Sequence, residues 1–180
     1  MGVLYRLGQF WRIVRAESLS GAALAEITAV LTPSEAALFN RFSLSDQQHS
    51  YGVLRTLQSA GHTQPDLLTA ALLHDVGKTR APLSIWERSL IVLVQKLAPG
   101  KMAVWGKGHA RGWRRPFVVK AQHPAWGAAM AEAAGSKPLV IALIRRHQEP
   151  LLETAEPLLE TAVSPEDNLL RLLQWADDKN

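Results

Sequence analysis

Apolar positions recur at helical spacing along nearly the whole chain, and no stretch alternates as a strand does. Residues 8–15 and 21–31 carry helix-compatible apolar spacing. Thr32-Pro33-Ser34-Glu35 has the form of a capping box with proline at the first helical position, which predicts a helix from 33 to about 42. Ser45 and Asp46 can cap the next helix, which carries His49, runs through Val53, Leu54 and Leu57, and ends at Gly61. Pro65-Asp66 opens an apolar run, Leu67 to Leu73. Ser84 and Glu87 form a second capping box, predicting a helix to about Leu97 that Pro99-Gly100 breaks; its apolar residues, Trp86 through Val94, read as core. Residues 99–116, punctuated by four glycines and Pro116, read as a loop. His123, followed by proline, reads as the first residue of a helix to about Ala134. Further helices are expected over 138–147 and from Ser164-Pro165 to the end, the last with Asp177 in its final turn.

This pattern predicts an all-α protein. Its length suits one domain, residues 45–180, with residues 1–44 as an N-terminal helical extension packed on it. Glu149 to Ala155 is repeated residue for residue as Glu156 to Ala162, which reads as an expanded linker between two helices, since added length there costs little entropy. Without cysteine there are no disulfides, thiolate metal sites or thiol nucleophiles. No run approaches the ~18 uninterrupted apolar residues of a membrane span. Met1 to Ala16 carries Arg6, Arg12 and Arg15 within its apolar stretch, unlike a secretory signal, so a cytoplasmic location is expected.

The run Leu67–Leu73 ends in His74-Asp75-Val76-Gly77, followed by Lys78. An imidazole and a carboxylate at the end of a buried helix cost several kcal/mol unless something pairs with them. A divalent cation does so, because imidazole nitrogen and carboxylate oxygen are ordinary ligands for it. Gly77 lets the backbone leave the helix. Four more candidates flank the pair: His49, His123, His147 and Asp177. Each has an ordinary alternative. His49 alone could be a surface or satisfied core histidine, His123 and His147 could be helix-terminal histidines, and Asp178 competes with Asp177. His62 and His109 read as surface residues.

The order His49…His74-Asp75…His123…His147…Asp177 resembles the HD-domain metal-dependent phosphohydrolase superfamily. The resemblance spans about residues 45–178, and Ala71 to Lys78 is its most specific part. It implies a bundle of about seven to nine helices with the site between them. It also implies one or two divalent ions (Fe, Mn, Zn or Mg). His49, His74, Asp75 and Asp177 would hold the first, and Asp75 with His123 and His147 the second. Asp75 and Lys78 would carry the catalysis. Two such ions activate a water to hydroxide and neutralise charge on the phosphoryl oxygens. The implied reaction is hydrolysis of a phosphoester or phosphoanhydride in a nucleotide or other phosphorylated small molecule. The spacing is similar to the HD-type symmetrical dinucleoside tetraphosphate hydrolases. The HHE…GYP signature of the cyclic-di-GMP phosphodiesterases is absent, since Gln148 follows His147.

Charge adds a second theme. Between Glu87 and Glu132 there is no acidic residue, while Arg88, Lys96, Lys101, Lys107, Arg111, Arg114, Arg115 and Lys120 fall in the gap. This segment reads either as a solvated insertion or as a phosphate-gathering lid in which Trp105 or Trp113 stacks on a base. Lys78, Arg114, Arg145 and Arg146 are the candidate substrate-binding cations. The same charge admits nucleic acid as a partner, and with it a catalytically silent regulatory or nucleic-acid-binding protein as the alternative to an enzyme. The stretch Leu4 to Arg15 could lie on a membrane surface, but packs more readily on the core or a second subunit.

Overall fold

The computed structural model describes residues 18–150 and 164–180. Its described residues form nine α-helices and two short 3₁₀ turns with no strand. The helices are α1 (Gly21–Val30), α2 (Pro33–Phe39), α3 (Leu44–Ser59), α4 (Pro65–Leu73), α5 (Ile85–Leu97), α6 (Pro99–Trp105), α7 (Arg115–Ala133), α8 (Pro138–Arg146) and α9 (Pro165–Asp178). Most of the 149–162 repeat, and all of residues 8–15, lie outside the described residues.

Helix α4 is the hub. Every residue from Leu67 to Leu73 is buried, as expected of a helix that is apolar all round. It packs against α1, α2, α3, α8 and α9. Ile27, Leu31, Phe39 and Phe42 from the first helices join the same hydrophobic core as Leu54, Leu143 and Leu173. The 20-odd residues before α3 are therefore part of the core.

Local signals in the sequence account for most helix starts. Thr32 and Ser84 both make complete capping boxes with Glu35 and Glu87. The cap of α3 is Ser43 and not Ser45 or Asp46: its hydroxyl accepts from the Asp46 N–H at 3.2 Å, and Asp46 sits in the first turn instead. Gly61 ends the helical region with a φ of 84°, the left-handed conformation glycine tolerates.

Three expectations are corrected. Residues 99–116 are not a loop: α6 occupies 99–105 and a 3₁₀ turn spans Gly112–Arg114. Proline at the first position of α6 starts a helix there as well as ending α5. His123 does not open a helix but lies in the middle of α7, with Pro124 inside the helix. Helix α5 is not core: of its residues only Ile91 is buried, and it rests on α6 and α7 at the edge of the bundle.

Gly77 acts through space more than through backbone freedom, since its φ is not positive. It lies in the 3₁₀ turn Val76–Arg80, which presses against α7. A Cβ at Gly77 would fall 2.0 Å from the His123 carbonyl oxygen and 2.6 Å from the Gly127 nitrogen. Both neighbours are backbone and cannot step aside. We expect Gly77→Ala to lower unfolding stability by about 1–3 kcal/mol, the usual cost of overpacking. It should also separate Asp75 from His123. Chemical denaturation beside a metal-binding titration checks both effects, and an unchanged midpoint would refute the contact.

Candidate metal centre

The six candidate ligands come together where α3, the end of α4, α7, the end of α8 and the last turn of α9 meet. They form two groups, His49–His74–Asp177 and Asp75–His123–His147, each with its ligand atoms within 4.8 Å of one another. Asp75 stands between them. Its Oδ2 lies 3.5 Å from His74 Nε2 and 3.9 Å from His49 Nε2, and its Oδ1 lies 3.2 Å from His123 Nε2 and 3.6 Å from His147 Nε2. Asp177 Oδ1 lies 2.9 Å from His49 Nε2 and 3.4 Å from His74 Nε2. Asp178 is exposed. His62 packs edge-on against Trp175, and His109 is exposed.

Ring orientation carries the chemistry. His74 Nδ1 is 2.9 Å from the Ala71 carbonyl, His147 Nδ1 is 2.7 Å from that of Ile144, and His123 Nδ1 is 3.0 Å from those of Val119 and Lys120. A carbonyl only accepts, so each Nδ1 must donate, and in the neutral ring Nε2 is left with a lone pair. Three lone pairs then point into one buried space beside two carboxylates. His123 Nε2 and His147 Nε2 are 3.2 Å apart with no proton between them when both are neutral. His74 Nε2 is fully buried and has no hydrogen-bond partner. Acceptors packed this closely are costly, and positive charge relieves them: Lys78 beside Asp75, a proton on His74 beside Asp177, or a metal ion in its place. Outward N–H groups held by carbonyls are also how metal-bound histidines are oriented. The donor set therefore fits divalent metal.

The His123-Pro124 pair shows how the sequence builds this orientation. Proline has no N–H, so the Lys120 carbonyl loses its usual helical partner. The His123 ring N–H takes that place. Gln174 of α9 donates to the carbonyl of His147 at 3.1 Å, tying the Asp177 helix to the His147 turn.

Electrostatics follow from burial and charge. Burial disfavours the charged ring of His74, but the neighbouring Asp75 and Asp177 more than offset it and push its pKa up to about 9. Burial pushes His123 down to about 4, against the pull of Asp75. Asp177 is held well below the usual carboxylate range: burial raises it, but the His49 and His74 rings beside it outweigh that. Burial likewise acts to raise Asp75, and the Lys78 and His74 charges bring it well below its ordinary value.

The candidate substrate cations divide. Lys78, reached through the 3₁₀ turn and not a continued helix, forms a close ion pair with Asp75 Oδ2. Arg145 is exposed. Arg146 is not free to bind substrate: its guanidinium meets Glu149 at 3.0 Å, Glu166 at 2.5 Å and Asp167 at 2.7 Å. Arg114 is exposed and lies over the Trp113 ring, 5.1 Å being the matching distance for Arg80 over Trp126 and 5.2 Å for Arg114 itself. Trp105 packs edge-on against Trp113 and also contacts Phe117, so its ring is already engaged. Sequence reasoning missed Lys120 as a site residue. It stands one turn before His123, makes no ion pair among the described residues, and is half-buried; burial, then the charge of Lys78, lowers its pKa. Its spacing of three from His123 was the available signal.

The profile of the HD domain matches residues 47–179, and the chain belongs to the HD-domain family. That family consists in general of metal-dependent hydrolases. No curated protein and no solved structure matches the chain.

Metal binding should release a proton. His74, protonated up to about pH 9 in the metal-free protein, must give up its Nε2 proton to become a ligand, whereas His123 is already neutral. Affinity for Mn²⁺ or Zn²⁺ should thus rise with pH and level off above about 9. Calorimetric titration in two buffers of different ionisation enthalpy measures the released proton. Equal heats in both would show that His74 is neutral beforehand.

Proposed function

We propose that this protein is a metal-dependent phosphohydrolase that cleaves a phosphoester or phosphoanhydride bond in a nucleotide-like substrate. The observation that carries the reading is the convergence of the buried His74, His123 and His147 Nε2 atoms with two carboxylates, the Nδ1 proton of each of these three rings being turned outward. His49, His74, Asp75 and Asp177 would hold one ion, and Asp75, His123 and His147 a second. Bound there, divalent metal supplies a hydroxide nucleophile near neutral pH and neutralises phosphoryl charge.

The chain's own residues do the rest. Asp75 turns one oxygen to each group and so fixes their separation. Lys78 is paired with the same carboxylate and can exchange that partner for a phosphate oxygen. Lys120 provides a second cation from the facing helix. Its position supports a substrate with more than one negative charge, because two lysines near each other repel until an anion lies between them. Burial of His74, His123 and His147 keeps bulk water from competing at the ligand nitrogens.

Metal analysis followed by a nucleotide phosphohydrolase screen with added Mn²⁺ tests the reading. Asp75→Ala should lose both ions and essentially all turnover. His147→Ala should lose one ion and keep the other. Lys120→Ala should retain metal and raise KM by about tenfold to a hundredfold, the worth of a hydrogen bond to a charged group. Metal without turnover on any phosphoester would instead support a silent regulatory protein. Full metal content and activity in His147→Ala would reduce the site to one ion.

A further inference from the structure

The edge hairpin α5–α6 leaves apolar surface in water that no described part of the chain covers. Trp86, Leu90, Leu93 and Leu97 recur at spacings of four, three and four, which stacks them along one face of α5 over three turns. All are exposed: Trp86 by 85%, Leu93 by 53% and Leu97 by 71%. Val104 on α6 adds another exposed apolar side chain, at 57%. Opposite this stripe, Ile91 is buried. Helix α5 is thus apolar on both sides, with one side packed and the other open.

The charge around the stripe is of one sign. Lys96, Lys101, Lys107, Arg111 and Arg114 are exposed on or just after the hairpin, and none of them makes an ion pair among the described residues. The two acidic groups nearest in the fold are already used. Arg88 takes Asp46 at 3.0 Å, and Arg115 takes Glu87 at 2.6 Å, which anchors the base of the hairpin to α3 and α7. The result is an apolar ridge, with tryptophan at one end, set among free cations and held on a fixed base.

We infer that the α5–α6 hairpin docks this protein on an anionic lipid surface. Apolar side chains rimmed by lysine and arginine are what an interfacial helix presents to headgroups and acyl chains. A tryptophan suits the boundary, with an apolar body and a polar N–H. Charge separates this occupant from a second copy of the chain. A twofold pairing brings the same patch against itself and would place these cations face to face. An anionic bilayer answers both the apolar stripe and the charge. The segments outside the described residues are the internal competitors: 1–17, with Arg6, Arg12 and Arg15 against Glu17, repeats the positive charge of the face, and 151–163, with Glu153, Glu156 and Glu160, is acidic. The acidic segment leaves α8 and enters α9, helices that pack on α3, α4, α7 and each other. The inference stands apart from the proposed reaction and does not depend on it.

The test sediments the full chain with vesicles of phosphatidylcholine alone and with vesicles of equal parts phosphatidylglycerol and phosphatidylcholine. Binding is expected to the mixed vesicles only. Leu93→Gln with Leu97→Gln should weaken it by at least about tenfold, through lost apolar burial. Lys96→Ala with Lys101→Ala should weaken it by about fivefold per charge. Added salt should weaken wild-type binding in the same way. Since all four side chains are exposed, the far-ultraviolet spectrum and Tm of these variants should match wild type. Absence of binding to the mixed vesicles, or binding by both variants as tight as wild type, overturns the inference. So does a dimer in sedimentation velocity that the double glutamine variant breaks, which would assign the face to a second copy. Binding that emerges only after deletion of residues 156–162 overturns it too, and would make that segment the resident of the face.

Discussion

Asp75 is the constraint on which the rest of the site depends. One carboxylate, buried among four imidazoles and a lysine, has to satisfy partners on both of its oxygens. It can do so only if α3, α7, α8 and α9 each bring a side chain to within a few ångströms of the same point. That in turn fixes how tightly the 3₁₀ turn after α4 lies on α7. The glycine at 77 permits this approach, and the buried run of α4 supplies the hydrophobic anchor that holds the turn there. Core packing and site geometry are therefore one problem in this fold. A shift of α7 relative to α4 would be felt first as lost contacts to Asp75.

The fold was largely legible because its signals are local. Capping boxes at Thr32 and Ser84 and prolines at first helical positions mark helix starts without knowledge of the tertiary structure. The errors share one cause, which is that the meaning of Pro, Gly and apolar residues depends on what lies beside them in space. Pro99 begins a helix as well as ending one. Pro124 sits inside a helix because its missing donor is useful there. The apolar stripe of α5 has the spacing of a buried face, and spacing alone cannot tell a face that meets the core from one that meets something outside the chain.

The site shows the same division. His74 and Asp75 stood out because two polar residues closed an apolar run, and that contrast is a property of sequence. Lys120 and Arg146 depended on tertiary placement. Lys120 comes to border the ligands only because α7 continues a further two turns before His123. Arg146, adjacent to a ligand in sequence, is taken up by three carboxylates, two of them on α9. Proximity along the chain suggested a substrate contact, whereas its role is to join the end of α8 to the start of α9.

The exchange at Pro124 has a wider consequence. The interior of an α-helix normally offers a side chain no unclaimed backbone acceptor, since each carbonyl already receives an N–H one turn on. Removing a single donor creates, in mid-helix, the kind of open negative pole otherwise confined to a helix C-terminus. His123 turns its ring N–H onto that pole, which makes its other nitrogen more electron-rich and locks the angle at which it faces Asp75. Any residue other than proline at 124 would restore an N–H in competition with the imidazole. Helix α7 thus gives up some of its own regularity at one point to acquire a ligand of fixed direction.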